Sequence, residues 1–268
     1  MVDPEYFDVV YVINPHMKDQ VGKVDHKKAR VQWKALRTVY EKLGFPVEVL
    51  PGVPGLPDMV FAANQSFPFV TSEGKKKVIL SRMASKERAA EVPFFERWYH
   101  TQDYEIILTG GDAAVEGMGD LLWHPGKCQC WGGYGFRTDR SVYKEIARIT
   151  EIPVLELELK DPEFYHLDTC LAPVSEACAV YYPNAFTVES RRLLEKHFSD
   201  LIEADETEAR QRFVCNGHSP DGKHFIVQSG SKKVCGELKK RGIVPVEVDT
   251  SEFLKSGGSV FCMKMMIW

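Results

Sequence analysis

One pattern constrains this chain more than any other: a strand, a helix, a second strand and a turn ending in a polar residue recur with a step of roughly fifty residues, as expected of an array of equal units. The closing strands read as Val47-Glu48-Val49-Leu50, Glu105-Ile106-Ile107-Leu108, Val154 to Leu159, Asp200 to Ala204, and Val246-Glu247-Val248-Asp249. Each leads to a distinctive polar group: Asp58 with Asn64, then Glu116, His166, Asn216 and finally Cys262. Short amphipathic helices are predicted over Lys86 to His100, Ser141 to Thr150, Val188 to His197 and Lys232 to Arg241. Alternating strands and helices favour parallel pairing within a unit. Five such units suggest a ring, with strands about a central axis, helices outside, and the polar groups converging on one end of that axis. In an open α/β sheet the same positions would be ordinary loop residues. Against that stands the set itself, an acid, an amide, a second acid, a histidine and a thiol, one from each turn.

The first unit shows the pattern in detail. A strand is predicted over Phe7 to Ile13, stopping at Asn14-Pro15-His16-Met17, where an amide before a proline either starts a turn or points into a site. Asp25 to Leu43 carries Ala29, Trp33, Leu36, Val39, Tyr40 and Leu43 at helical spacing, with Gly44 placed to end the helix. Pro46 to Leu50 reads as the strand that follows.

At the other end, Gly257-Gly258-Ser259 delivers Cys262 into an apolar run. Two glycines remove bulk where a ligand or another backbone comes close. Taken alone, a free cysteine there reads as a buried, inert thiol. Seven cysteines, an odd number scattered through apparent strands, argue against a disulfide framework. With 44% hydrophobic residues, a net charge of −4, no membrane-length apolar run and an acidic start at Met1-Val2-Asp3-Pro4-Glu5, the expectation is a cytoplasmic globular protein. Lys75-Lys76-Lys77, the longest basic run, is too short to track a phosphate backbone, so neither nucleic acid nor membrane is expected as a partner. His124 with Cys128 and Cys130 lacks zinc-knuckle spacing and fits alternating strand residues better, and no metal is expected. Glu203 to Glu208 reads as a solvated acidic turn.

The stretches Asp58-Met59-Val60-Phe61-Ala62-Ala63-Asn64, Glu116-Gly117-Met118-Gly119-Asp120, Gly133-Tyr134-Gly135-Phe136-Arg137, Tyr165-His166-Leu167-Asp168-Thr169 and Gly257-Gly258-Ser259 with Cys262 occur in this order. Together they resemble the guanidine-modifying superfamily of arginine deiminases, dimethylarginine dimethylaminohydrolases and amidinotransferases. The likeness runs nearly end to end and is greatest to the catalytic domain of cyanobacterial-type arginine dihydrolase, which shares the Asn14-Pro15-His16-Met17 start. It implies a five-bladed, pseudo-fivefold α/β propeller, the pentein fold, built from ββαβ repeats as one catalytic domain over residues 1–268. It further implies Cys262 as nucleophile, His166 as general acid and base, and Glu116 and Asp168 as anchors of the guanidinium. Asn64 stands where relatives often have an aspartate, and with Asn14 matches the dihydrolase type, which continues past citrulline to ornithine. Arg82 and Arg137 are implied as partners of a substrate carboxylate, with Arg88 competing for the first role; Asp120 and Gly258 complete the expected substrate-binding set. Asn216 is expected to support the site without taking part in chemistry. Two departures stand out: Gln65-Ser66 replaces an expected Ala-Gly pair, and long cyanobacterial forms carry a further domain beyond the point matched by Trp268.

The residue types suit this chemistry on their own terms. A guanidinium carbon is a poor electrophile because its charge is spread over three nitrogens, so hydrolysis needs a strong nucleophile and carboxylates that fix the cation. A thiolate is the best nucleophile near neutral pH, although a free thiol, with a pKa near 8.5, is mostly protonated there. The substrate's charge favours the thiolate, and a histidine can take the proton and return it to the leaving amine. No cofactor is required; the expected partner is a small arginine-like guanidino compound, and a homo-oligomer is left open. Two readings compete: an enzyme that stops at citrulline, either a dimethylarginine dimethylaminohydrolase or a deiminase, and a non-catalytic binding protein, since a ribosome anti-association factor uses the same propeller.

Overall fold

The computed structural model describes residues 1–267. Eleven strands form four separate small sheets in these residues. The first joins β1 (Ser66–Val70), β2 (Lys76–Leu80) and β3 (Glu105–Ile107); the second joins β4 (Leu121–Trp123), β5 (Cys130–Tyr134) and β6 (Val154–Glu158). The third joins β7 (Leu171–Pro173), β8 (Cys178–Tyr181) and β9 (Asp200–Glu203), and the fourth pairs β10 (His224–Gln228) with β11 (Val244–Val248). The same order repeats in each three-stranded sheet: an antiparallel pair, a helical crossover, then a parallel strand, as in Ser66 opposite Leu80 and Lys77 opposite Glu105. The fourth sheet follows suit, with an antiparallel bridge from His218 to Ile226 in place of the first strand. The recurrence read from the sequence is therefore a ββαβ unit, because a parallel neighbour demands a crossover.

Nine helices are present in the described residues: α1 (His26–Lys42), α2 (Lys86–Ala89), α3 (Val92–Thr101), α4 (Gly117–Asp120), α5 (Val142–Thr150), α6 (Val188–His197), α7 (Glu206–Arg212), α8 (Lys232–Lys240) and α9 (Ser251–Leu254). α1 begins where the Asp25 carboxylate accepts from Lys28 N at 3.0 Å and ends at Gly44, whose φ is +89°, as capping physics requires. Its buried face, Ala29, Trp33, Leu36 and Tyr40, packs on Phe7, Phe253, Val260 and Cys262. The thiol is thus seated in the apolar cluster that α1 covers.

Three expectations need correction. The first unit has no ladder: Phe7 to Ile13 is not a strand, and Pro46 to Leu50 contributes only an isolated parallel bridge between Val2 and Leu50. Val9 is buried while Val10 and Val12 are each 55% exposed, so the alternation is real but no partner strand lies alongside. The helix over Lys86 to His100 is two helices, α2 and α3, because Pro93 fits the first turn of α3 but cannot continue α2. The acidic stretch is no solvated turn: Asp205 caps α7, and buried Glu208 accepts from Lys233 N at 2.7 Å and Val234 N at 3.0 Å, capping α8.

Candidate active site

The turns that follow corresponding strands meet. Met118 N donates to Ala63 O at 2.8 Å, Ala63 N to Cys262 O at 3.1 Å, and Phe261 N to Asn216 O at 2.9 Å. These bonds stitch the Asn64, Glu116, Asn216 and Cys262 turns into one floor. Above it lies a narrow recess lined by Asn14, Asp58, Asn64, Arg88, Arg137, His166, Gly258 and Cys262, among others, with a cavity volume of only about 10 Å³.

Cys262 is 3% exposed, and its thiol donates to Asp168 Oδ2 at 3.1 Å. Asn216 Nδ2 donates to the sulfur at 3.1 Å and to the Asp168 carbonyl at 2.9 Å. Asn216 Oδ1 accepts from Ser259 N at 3.0 Å and Cys262 N at 3.3 Å. One amide therefore fixes the nucleophile's turn, its sulfur and its neighbouring acid. Burial, reinforced by Asp168, raises the thiol well above its ordinary range, so the resting group is protonated. Burial likewise lifts the Asp168 carboxyl to about 7, and its Oδ1 has no hydrogen-bond partner.

His166 does not sit on a strand, as its spacing from Asp168 suggested; it precedes a 3₁₀ turn, Leu167–Thr169. Its Nε2 donates to Glu116 Oε2 at 2.7 Å, and Asn64 Nδ2 approaches Nδ1 at 3.4 Å. This assignment places the ring proton on Nε2 and leaves Nδ1 as the acceptor facing the recess. Burial opposes the Glu116 charge, but the His166 hydrogen bond, with the imidazole and the Arg137 guanidinium close by, prevails and holds the carboxyl down at about 2. Glu116 also accepts from Ala84 N at 3.0 Å and from Arg137 at 3.3 Å. Its oxygens are committed to orienting His166 and Arg137. Asp120 lies behind the imidazole, accepting from Leu167 N at 3.0 Å and Thr138 Oγ1 at 2.6 Å, and is raised to about 6 by burial.

Gly119 is required by this packing: a Cβ there would fall 2.3 Å from Asn64 Nδ2 and 3.3 Å from the His166 ring. Gly258 lines the recess with its backbone, and a Cβ there would lie 2.3 Å from the Phe61 ring, so the glycine makes room for protein. At Gly257, φ is +81° and the carbonyl accepts from Tyr165 Oη at 2.7 Å. Asn14 fixes the opposite wall, its Nδ2 donating to Ser256 O at 3.0 Å while its Oδ1 caps the turn at His16 and Met17.

Arg82 is not brought to the recess. Its guanidinium donates to Thr109 O at 2.9 Å and Ala113 O at 3.0 Å, closing a neighbouring turn. Arg88 takes the place instead, donating to Asn64 Oδ1 at 2.7 Å and to Glu91 Oε2 at 2.9 Å. Gln65 and Ser66 serve this wall: Gln65 Nε2 donates to Glu91 at 2.5 Å, and Ser66 Oγ meets Tyr99 Oη at 2.9 Å. Arg137 lines the recess, donates to Ile13 O at 2.9 Å and lies over the Tyr165 ring, 4.9 Å from its centroid. Asp58 was legible only as the polar end of the first unit. In the structure it is buried, lines the recess, accepts from Ser256 Oγ at 2.7 Å and has the Tyr11 hydroxyl beside it.

Elsewhere, His124 is occupied by Trp131 Nε1 at 3.2 Å and the Glu176 carbonyl at 2.9 Å. No group of three metal-ligating side chains occurs among the described residues, nor does any of their helices have the length and apolarity to cross a membrane.

Known proteins share this arrangement of the chain. It is 37% identical to an N(G),N(G)-dimethylarginine dimethylaminohydrolase of Mycobacterium tuberculosis, over the whole chain and 84% of the relative. It is 34% identical to the bifunctional arginine dihydrolase/ornithine cyclodeaminase ArgZ of Synechocystis, again over the whole chain but only 37% of that longer protein. The crystal structure of the N-terminal domain of ArgZ, a cysteine-to-serine mutant of an arginine dihydrolase bound to substrate, superposes with a TM-score of 0.92 at 33% identity, covering 98% of this chain and 95% of that one. The α/β fold is that of these structures. A family model described as N,N dimethylarginine dimethylhydrolase, eukaryotic, matches residues 5–268, and the chain belongs to this family within the guanidino-modifying superfamily.

Proposed function

We propose that this protein is a cysteine-dependent hydrolase of the guanidino C–N bonds of arginine, and that it carries hydrolysis past citrulline to ornithine, ammonia and carbon dioxide. The observation that carries the reading is the convergence of the Cys262 thiol, the His166 imidazole oriented by Glu116 and the buried Asp58 carboxylate at one small recess, with Asp168 directly behind the thiol at 3.1 Å. Carboxylates buried in this way are costly to ionise, as the upward shifts of Asp58 and Asp168 show, and a substrate with a guanidinium at one end and an ammonium at the other brings a countercharge to each. Arg137, which lines the recess, is the candidate for the α-carboxylate.

The resting thiol is protonated, so activation depends on the substrate cation, whose charge favours the thiolate as it enters. The sulfur attacks the guanidinium carbon, and the proton it releases ends on the departing nitrogen, delivered by His166 from Nδ1. Water then attacks the thiouronium carbon, His166 takes the proton from it, and the C–S bond breaks to regenerate Cys262. Glu116 stabilises the imidazolium in both steps. A second round on citrulline consumes another water and releases a second ammonia and carbon dioxide.

Asn64 supports the dihydrolase reading. It places a neutral amide against His166 where a carboxylate would favour cations alone, and citrulline's ureido group is neutral. We further propose that the ββαβ units and the bridge-linked N-terminal segment are five blades of one propeller acting as a single catalytic domain. Ammonia counted per arginine consumed tests the function. Two ammonia with ornithine is the expected result. One ammonia with citrulline reduces it to a deiminase, dimethylamine from methylated arginine with none from arginine makes it a dimethylaminohydrolase, and no product from any of them overturns the hydrolase.

A further inference from the structure

Behind the nucleophile sits an ionisable group that the proposed reaction does not use. Lys264 closes the Cys262 turn, its backbone N–H donating to Phe261 O at 3.3 Å, and it is 3% exposed. Its Nζ has no hydrogen-bond acceptor and rests on the face of Phe261, 3.2 Å from the ring centroid. Phe261 is pinned in turn: its N–H donates to Asn216 O at 2.9 Å, and its ring meets His218 edge to face with 5.6 Å between centroids. The ammonium is thus held against the same Asn216 turn that holds the sulfur.

A buried amine with three donors and no acceptor is unfavourable, and a cation–π contact offsets only part of that cost. No hydrogen bond accounts for a lysine here, but the charges around it do, since in a buried site one charge acts on another beyond contact distance. Burial lowers the ammonium to about 7, while Asp168 and then Cys262 pull the other way. The attraction is reciprocal: burial raises Asp168, and Lys264 follows only the Cys262 thiol among the groups that oppose the rise. The other titratable neighbours carry no charge. His218 is kept neutral by burial, with Tyr40 Oη at 2.9 Å from its Nδ1, and Tyr165, which faces Cys262, is raised by burial. Arg88 also reaches Asp168, but it is committed to Glu91 and Asn64.

A thiolate beside an ionised Asp168 would place two negative charges about the sulfur-to-oxygen contact of 3.1 Å, which a buried site disfavours. The substrate cation meets this pair from the recess. Lys264, which does not line the recess, meets it from within the protein. We propose that Lys264 is a positioning residue for the nucleophile, a fixed ammonium behind the Asp168 and Cys262 pair that lets carboxylate and thiolate be charged together before the C–S bond forms. Its purpose rests on the hydrolase reading, while its effect is read on the thiol itself.

Lys264→Met keeps the stem and removes the charge. Alkylation of Cys262 by iodoacetamide, followed by peptide mass spectrometry over a pH series, reads thiolate formation independently of turnover. The midpoint of the pH–rate curve should rise by at least about one unit in the variant, and the rate at a fixed pH below it should fall about tenfold. The acidic limb of ammonia release from arginine should move the same way, with kcat falling more than KM changes. A parent that shows the alkylation difference yet releases no ammonia refutes the hydrolase and supports the charge effect. The cost of the buried ammonium is complete below about 7 and fades toward the ordinary 10.5, so Lys264→Met should melt above the parent at about pH 6; a lysine kept for structure would do the reverse. An unchanged midpoint in Lys264→Met, a variant that melts below the parent at that pH, or a parent Cys262 that resists alkylation at every pH would each overturn the proposal.

Discussion

Replacing Asn216 by alanine tests how the nucleophile is held. The side chain is fully buried and makes contacts with two backbone N–H groups, one carbonyl and the Cys262 sulfur. Truncation leaves the Ser259 and Cys262 amides and the Asp168 carbonyl without partners in a site too tight for easy hydration. Each orphaned buried group costs about 1–3 kcal/mol, and partial relaxation brings the sum to about 3–5 kcal/mol. For a chain of this size, roughly 2–4 °C is lost per kcal/mol, so the melting temperature should fall by roughly 6–20 °C. Turnover should fall at least tenfold at temperatures where the variant remains folded, because the Ser259 to Cys262 turn loses its anchors. Asn184→Ala, at an exposed turn, serves as the control. Scanning calorimetry and steady-state ammonia release read the two effects. A melting temperature within about 2 °C of the parent, or parental kcat, would refute the positioning role.

Two further substitutions read the electrostatics and packing of the site. Burial holds the Asp168 carboxyl at about 7 against an ordinary 3.8, so the folded chain binds that proton more tightly than the unfolded chain does. The cost of ionising it is absent at low pH, grows as pH rises from about 4 and is complete above about 7. Asp168→Asn should therefore gain melting temperature over the parent at pH 8 relative to pH 4 while losing activity; an unchanged difference between the two pH values contradicts the buried-charge account. Gly119→Ala drives a methyl group into the Asn64 amide and the His166 ring. It should cost about 1–3 kcal/mol of stability and a larger share of kcat than of KM, and parental kinetics would show that the imidazole is not held as described.

Much of the site was legible because chemistry and period coincide. Glu116, His166, Asn216 and Cys262 fall at matching points of successive units; backbone hydrogen bonds join the Glu116, Asn216 and Cys262 turns through that of Asn64, and the Asp120 and Asn216 side chains hold the His166 turn. What escaped the sequence depends on direction in space. Arg82 follows a strand and looks available, yet its fork closes on Thr109 and Ala113; Arg88, beyond it on a four-residue helix, is the one that turns inward. Gly258 reads as clearance for a flat ligand, but only the structure reveals Phe61 in that space. The period placed Asn216 at the site as a supporting residue but did not reveal the four contacts it makes there. Phe7 to Ile13 has the alternation of a strand, and alternation reports burial of one face, not the presence of a neighbour. The helix α7 was hidden because its acidic start was read as solvated charge, when Asp205 and Glu208 cap two helix ends.

The central claim is that Cys262 forms a covalent bond to the guanidino carbon. Mass spectrometry of the protein quenched during turnover of arginine, followed by peptide mapping, tests it directly. The account predicts an arginine-derived adduct on the peptide bearing Cys262, one that appears and decays within the turnover time and is absent from an inactive Cys262→Ser variant. Turnover at the parental rate by Cys262→Ser, with no adduct on the parent, would contradict it.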